Sequence, residues 1–160
     1  MYIRKATTAD LSAVTAVEAT CFPPAEAATE DQFRERLAAY GDHFLLLEEE
    51  GRLIGFIDGP VTVDPDLTDD MYADTSCHCE EGAWQMIFGL NTLPEWRRQG
   101  CAGRLIAALK DKARQEGRRG VVLTCKDRRV PYYAKFGFVN EGVSPSTHGG
   151  VVWYQMRLKF

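Results

Sequence analysis

Residues 90–106 read LNTLPEWRRQGCAGRLI: the end of an apolar run, a proline, two adjacent arginines, two glycines, and then the opening of an amphipathic segment. The run AWQMIFGLNTL is apolar on both faces, as a central buried strand is, and Pro94 ends it. Beyond Arg97, Leu105, Ile106, Leu109 and Ala113 recur at helical spacing, opposite Lys110, Lys112 and Arg114, and the helix runs to about Glu116, where Gly117 stops it. Strand, glycine-rich turn and helix together form a general anion site. The turn presents backbone N–H groups at the positive end of the helix dipole. Gly100 permits close approach, Ala102 and Gly103 keep the first turn free of bulk, and Arg97 and Arg98 add charge. The stretch has neither G-K-S/T nor G-x-G-x-x-G. That leaves a pyrophosphate carried by some other cofactor, or a plain helix start with exposed arginines.

The rest of the chain limits what such a site can serve. Its 160 residues suit one domain, 1–160, with a real core, and 45% hydrophobic and 26% charged content is ordinary for a soluble protein. No apolar run approaches a membrane span, and MYIRKATTADL lacks a signal peptide's apolar core, so a cytoplasmic protein without membrane partners is expected. Five cysteines then read as free thiols. Cys77, His78 and Cys79 could begin a metal site, but no second ligand pair is spaced for one, and no metal is expected. The formal net charge is −4, unevenly spread. Through Trp96 there are 5 Lys/Arg against 19 Asp/Glu, and from Arg97 onward 14 against 4. This fits an anionic ligand on the C-terminal half and a cationic one near the N-terminal half. It does not fit nucleic acid, since no basic patch is interleaved with aromatics.

The pattern of the whole chain is β-α-α-β-β-β-α-β-α-β, a mixed sheet with helices packed against it. YIRKA is a strand. The helix after it is capped by Thr7 with Asp10 in capping-box position, and a second helix, Glu30 to Tyr40, is capped by Thr29 with Gln32. HFLLLEE and LIGFIDGPV form a hairpin through EGR. Residues 62–83 are acidic and irregular, with the composition of a mobile surface loop. VVLTC is a buried strand, VPYYAKFGF a short helix, and GGVVWYQMRLKF a final strand.

LNTLPEWRRQGCAGRLI matches the R/Q-x-x-G-x-G/A signature of the GNAT acetyltransferases, and VPYYAKFGF matches that superfamily's Y-x-x-x-G-F segment, in the same order and at the same separation. RRQG, LTCKDRRVPYYAKFGF and the early proline loop resemble the arylalkylamine (serotonin-type) N-acetyltransferase branch in particular. The resemblance implies an α/β fold of mixed α+β type: a twisted mixed sheet of about six to seven strands, about four flanking helices, and central parallel strands that splay apart. It implies acetyl-CoA as co-substrate. The pyrophosphate would lie on the amides of Gln99, Gly100, Cys101, Ala102, Gly103 and Arg104, beside Arg97 and Arg98. The pantetheine arm would run along Leu90, Asn91 and Thr92 as an extra strand does.

Acetyl transfer requires a neutral amine, a stabilised oxyanion and a proton for the departing thiolate. An amine with a lysine-like pKa of ~10.4 costs about 4–5 kcal/mol to neutralise at pH 7. By the resemblance Tyr133 is the acid for the thiolate, and Tyr132 packs; without it, both would read as core aromatics. A backbone N–H between Leu90 and Thr92 is the expected oxyanion donor. Where the branch carries histidines on its central strand, this chain has Met86 and Phe88, neither of which takes a proton. Glu18, Asp58 and His148 are candidates for the missing base. Phe22, Pro23 and Pro24 would wall the acceptor pocket on one side and Trp153 on the other. The expected acceptor is a small primary amine, arylalkylamines included, taken by a monomer or homodimer. Peptide or protein amines are an alternative, and a non-catalytic acyl-CoA sensor is a third.

Overall fold

The computed structural model describes all residues 1–160. In chain order the first part gives β1 (Tyr2–Lys5), α1 (Leu11–Cys21), α2 (Glu30–Tyr40), β2 (Phe44–Glu49), β3 (Arg52–Asp58), β4 (Val61–Thr62), α3 (Asp70–Ala73), β5 (Trp84–Ile87) and β6 (Gly89–Thr92). Then follow α4 (Cys101–Gln115), β7 (Gly120–Cys125), α5 (Val130–Ala134), β8 (Val139–Val143) and β9 (Tyr154–Lys159). No helix is long and apolar enough to cross a membrane. The chain divides into two compact units, residues 1–59 with 89–109, and residues 60–88 with 110–160.

The first unit is built on an antiparallel sheet in the order β1-β2-β3-β6. Its central hairpin turns at Glu50 and Gly51, both at positive φ (51° and 78°), the backbone that a tight two-residue turn requires. Val14 and Val17 of α1 and Phe33, Leu37 and Tyr40 of α2 bury against Phe44, Leu46 and Phe56 of the sheet. The rings of Phe33, Phe44 and Phe56 meet at 5.3–6.0 Å. Both capping boxes form. Asp10 Oδ2 accepts the Thr7 N–H at 2.7 Å, and Thr29 and Gln32 exchange bonds of 2.9 and 3.2 Å.

The second unit carries a sheet in the order β4-β5-β7-β9-β8. Strands β5 and β7 are parallel, from Trp84↔Gly120 to Ile87↔Leu123, and the other pairs are antiparallel. Met86 and Val122 bury with Leu67, Met71 and Trp84. Behind α4, Gly117 (φ 79°) closes the helix: its N–H reaches Arg114 O, and the Arg118 N–H reaches Ala113 O.

Three expectations need correction. AWQMIFGLNTL is two strands, with Phe88 between β5 and β6, and each serves a different sheet. Residues 62–83 are no loose surface loop: they contain α3, and Leu67 and Met71 are buried against the second sheet, which gives the segment a core of its own. The tail strand begins only at Tyr154, beyond a short helical turn at His148–Gly150 in which Gly149 and Gly150 sit at positive φ, and it pairs with β7 and with β8, an exposed edge strand the pattern did not reveal.

Candidate functional site

In the first unit the sequence RRQGCAG forms a backbone cradle. Arg98 (φ 62°) and Gly100 (φ 81°) both take left-handed backbone, and nothing lies within 4 Å of where a Gly100 Cβ would stand. The first intrahelical bond of α4 runs from Arg104 N to Gly100 O, so the amides of Cys101, Ala102 and Gly103 point out of the helix start. Outward amides after alternating backbone hands are what binds phosphate oxygens. Arg97, Arg98, Gln99 and Gly100 are exposed around them. Cys101 contributes only its backbone, since its side chain is buried with Sγ 3.5 Å from Trp96 O. Upstream, β6 is the edge of its sheet, so one side of Leu90–Thr92 is free to pair with an extended ligand. Arg97 Nε and the Cys21 thiol both donate to Thr92 O, at 3.1 and 3.4 Å. The cradle and the strand edge fit the pyrophosphate and the amide-bearing arm of coenzyme A.

Beneath β6 lies a buried polar cluster. The Asn91 side chain is packed inward and donates to Glu18 Oε1 at 3.1 Å, while Glu18 Oε2 accepts the Ala28 N–H at 2.9 Å. Glu18 therefore ties α1 to the strand and to the segment after Pro23–Pro24. Asp58 is fully buried; its Oδ2 accepts from Tyr40 Oη at 3.2 Å, with Arg36 Nη1 3.8 Å away. Burial pushes the Asp58 carboxyl up to about 7, against the pull of Arg36. Its register partner is Gly89, where a Cβ would stand 2.7 Å from Asp58 Oδ1. Glycine at this position follows from that contact. Between the ordinary aspartate value and about 7 the folded chain keeps a proton the unfolded chain has released. Stability therefore declines as pH rises through this window. Urea titrations at pH 5 and 7.5 will show a smaller decline in Asp58→Asn than in the wild type.

Phe22 is half-buried at the end of α1, and Pro23 and Pro24 are exposed. Pro23 O accepts the N–H groups of Glu26 and Ala27, both at 2.9 Å, so the proline segment is an ordered turn.

The second unit holds Tyr133 and Trp153. Tyr133 sits on α5 behind Pro131, its ring 6.1 Å from Phe138 and 5.4 Å from Tyr132, which in turn meets Phe136 at 5.2 Å. Burial, reinforced by Cys125, holds the Tyr133 hydroxyl well above the ordinary tyrosine value, although Arg129 pulls the other way. The group is thus a protonated phenol throughout the neutral range. Trp153 Nε1 donates to His148 O at 2.7 Å, and Lys126 Nζ lies 5.9 Å from the Trp153 ring centre. Sequence reasoning missed Tyr72, which stacks on His148 at 4.8 Å, meets Phe88 at 4.6 Å, and has its hydroxyl 3.3 Å from Thr124 Oγ1. An isolated tyrosine in an acidic stretch was the only signal available. His78 of the Cys-His-Cys stretch is engaged at both ring nitrogens, by the Val61 N–H at 3.0 Å and by Glu80 at 2.9 Å.

Residues 10–160 match the family described as "Acetyltransferase (GNAT) domain". Serotonin N-acetyltransferase from Mesocricetus auratus is 30% identical over 128 residues, which are 79% of this chain; the chain spans 60% of that protein's length. Among solved structures, the loading GNATL domain of CurA from Lyngbya majuscula superposes with a TM-score of 0.87 at 18% identity, over 99% of this chain and 96% of that one. The GphF GNAT-like decarboxylase in complex with isobutyryl-CoA superposes with a TM-score of 0.86 at 20% identity, over 99% of both chains. At such identities the structural likeness is one of fold.

Proposed function

The chain belongs to the GNAT acetyltransferase domain family, and on that premise we propose that it transfers an acetyl group from acetyl-CoA to a primary amine of a small molecule, arylalkylamines included. The observation that carries this reading is the α4 cradle, with its left-handed Arg98 and Gly100 and its outward amides, downstream of the edge strand β6. Arg97 and Arg98 supply charge to the pyrophosphate, and the amides of Gln99 through Arg104 supply hydrogen bonds. The free side of Leu90–Thr92 holds the pantetheine arm, and a backbone N–H there faces the developing oxyanion. Tyr133, kept neutral, donates to the departing thiolate. Phe22, Pro23, Pro24 and Trp153 contact the acceptor. The serotonin N-acetyltransferase relative supports an amine with an aromatic body.

The test is release of free coenzyme A thiol from acetyl-CoA across arylalkylamines, polyamines and short peptides. Turnover confined to arylalkylamines supports the reading, and turnover confined to peptides replaces it with protein amine acetylation. The GphF complex with isobutyryl-CoA is a reason to run the panel with that thioester as well. Silence across the panel with acetyl-CoA bound would leave an acyl-CoA sensor.

A further inference from the structure

The alternation of an antiparallel ladder fixes which backbone groups of β6 face outward. The Leu93 N–H donates to Ile54 O at 2.9 Å, so Leu93, Asn91 and Gly89 point their backbone groups at β3. Leu90 and Thr92 point theirs the other way, toward the open edge. The outward carbonyls there are Leu90 O and Thr92 O. The pantetheine arm of coenzyme A has a pair of amide N–H groups, one for each of these carbonyls in a strand-like pairing.

One of these carbonyls is already taken. Arg97 Nε donates to Thr92 O at 3.1 Å and the Cys21 thiol at 3.4 Å. The donors are unequal. Burial holds the Cys21 thiol above its ordinary value, against the pull of Arg97, so it is a neutral S–H and a weak donor. Arg97 brings a full charge, and a charge-assisted hydrogen bond is roughly twice as strong as a neutral one. Arg97 also stands at the entrance of the cradle. Its backbone is held in the turn, its N–H donating to Pro94 O at 3.3 Å, while its side chain is exposed. Along the chain it lies between the outward carbonyl of Thr92 and the outward amides of Cys101, Ala102 and Gly103, with a long flexible stem to swing on.

We propose that Arg97 is a specificity-determining latch: it closes Thr92 O in the free protein and leaves that carbonyl for the pyrophosphate, so that the pantetheine arm pairs fully only when a pyrophosphate comes with it. This deepens the acetyl-CoA reading and rests on it. A thioester of pantetheine alone must displace the arginine and leave it without a new anion. Coenzyme A supplies the anion in the same binding event. The site thereby tells an acyl-CoA from the same acyl group on a pantetheine without pyrophosphate. The coupling is reciprocal, since an arm paired at Thr92 O also frees Arg97 for the pyrophosphate.

The experiment measures the Kd of coenzyme A by calorimetry, and the inhibition constant of pantetheine by displacement of coenzyme A, for wild type, Arg97→Ala and Arg98→Ala. Both arginines are exposed, so both variants keep the fold, which equal melting temperatures will check. In Arg97→Ala the Kd of coenzyme A rises about tenfold, while pantetheine binds about fivefold tighter, because no charged donor has to leave Thr92 O. Arg98→Ala removes the neighbouring charge and keeps the latch. There coenzyme A weakens about fivefold and pantetheine stays within about twofold. The Arg97 Nε–H resonance, identified by its loss in Arg97→Ala, shifts when coenzyme A saturates the wild type. Pantetheine that binds Arg97→Ala no more tightly than wild type, or an Nε–H signal that saturating coenzyme A leaves in place, overturns the inference and leaves coenzyme A binding standing. A wild type that binds no coenzyme A overturns both.

Discussion

Tyr133→Phe lowers kcat by about 10²-fold or more, while the Kd for coenzyme A stays within about twofold. The change removes one oxygen from a ring held by Phe138 and Tyr132, so packing at α5 is kept. What is lost is the single donor proposed for the leaving sulfur. A coenzyme A thiol has a reference pKa near ~8.5 and an ordinary tyrosine ~10, so in water the phenol is a weak donor to the thiolate. The partial burial that raises the half-buried Tyr133 hydroxyl raises a thiolate brought beside it as well, and a short bond between them is worth more than the same bond in bulk water. The direction of the shift adds a second check. Raised above its ordinary value, the hydroxyl stays protonated past pH 10, so wild-type kcat has no alkaline limb at the usual tyrosine pKa. Stopped-flow and steady-state rates between pH 7 and 10 read both effects. Unchanged kcat in the variant removes Tyr133 from the mechanism.

Ala102→Glu separates coenzyme A binding from folding, and calorimetric Kd is expected to rise about 10²-fold, or about 2.7 kcal/mol. A carboxylate in the first turn of α4 favours the helix by roughly 0.3–1 kcal/mol through the dipole. Thermal stability without ligand therefore holds or improves. The same charge stands among the outward amides of Cys101 to Gly103 and repels the pyrophosphate. A stable variant that still binds coenzyme A at wild-type strength would show that the cradle is not the binding site.

Local chemistry made much of the fold legible. Gly100 and Gly117 bracket α4, Thr29 with Gln32 starts α2, and Glu50-Gly51 turns the first hairpin, each through bonds within a few residues. The cradle was legible for the same reason. The break at Phe88 was not, because both halves of AWQMIFGLNTL are apolar on both faces and periodicity has nothing to report. Only Gly89 hinted at it, and its reason lies in Asp58, distant in sequence. The pinning of Ser146 and Thr147 by Asp69 spans more than seventy residues and involves polar side chains that read as loop. Tyr133 could be named by resemblance. The upward shift of its hydroxyl depends on burial and on Cys125, which a sequence does not carry.

The break at Phe88 also bears on how the protein opens. Amides on either side of one residue, 84–87 and 89–92, belong to hydrogen-bond ladders of different sheets. Their exchange with solvent deuterium follows two separate unfolding equilibria, although the peptide backbone between them is continuous. A ligand that binds only the edge of Leu90–Thr92 slows exchange of the 89–92 amides directly. Slowing at Trp84–Ile87 would then measure how far the ordering of one cooperative block is transmitted to the next.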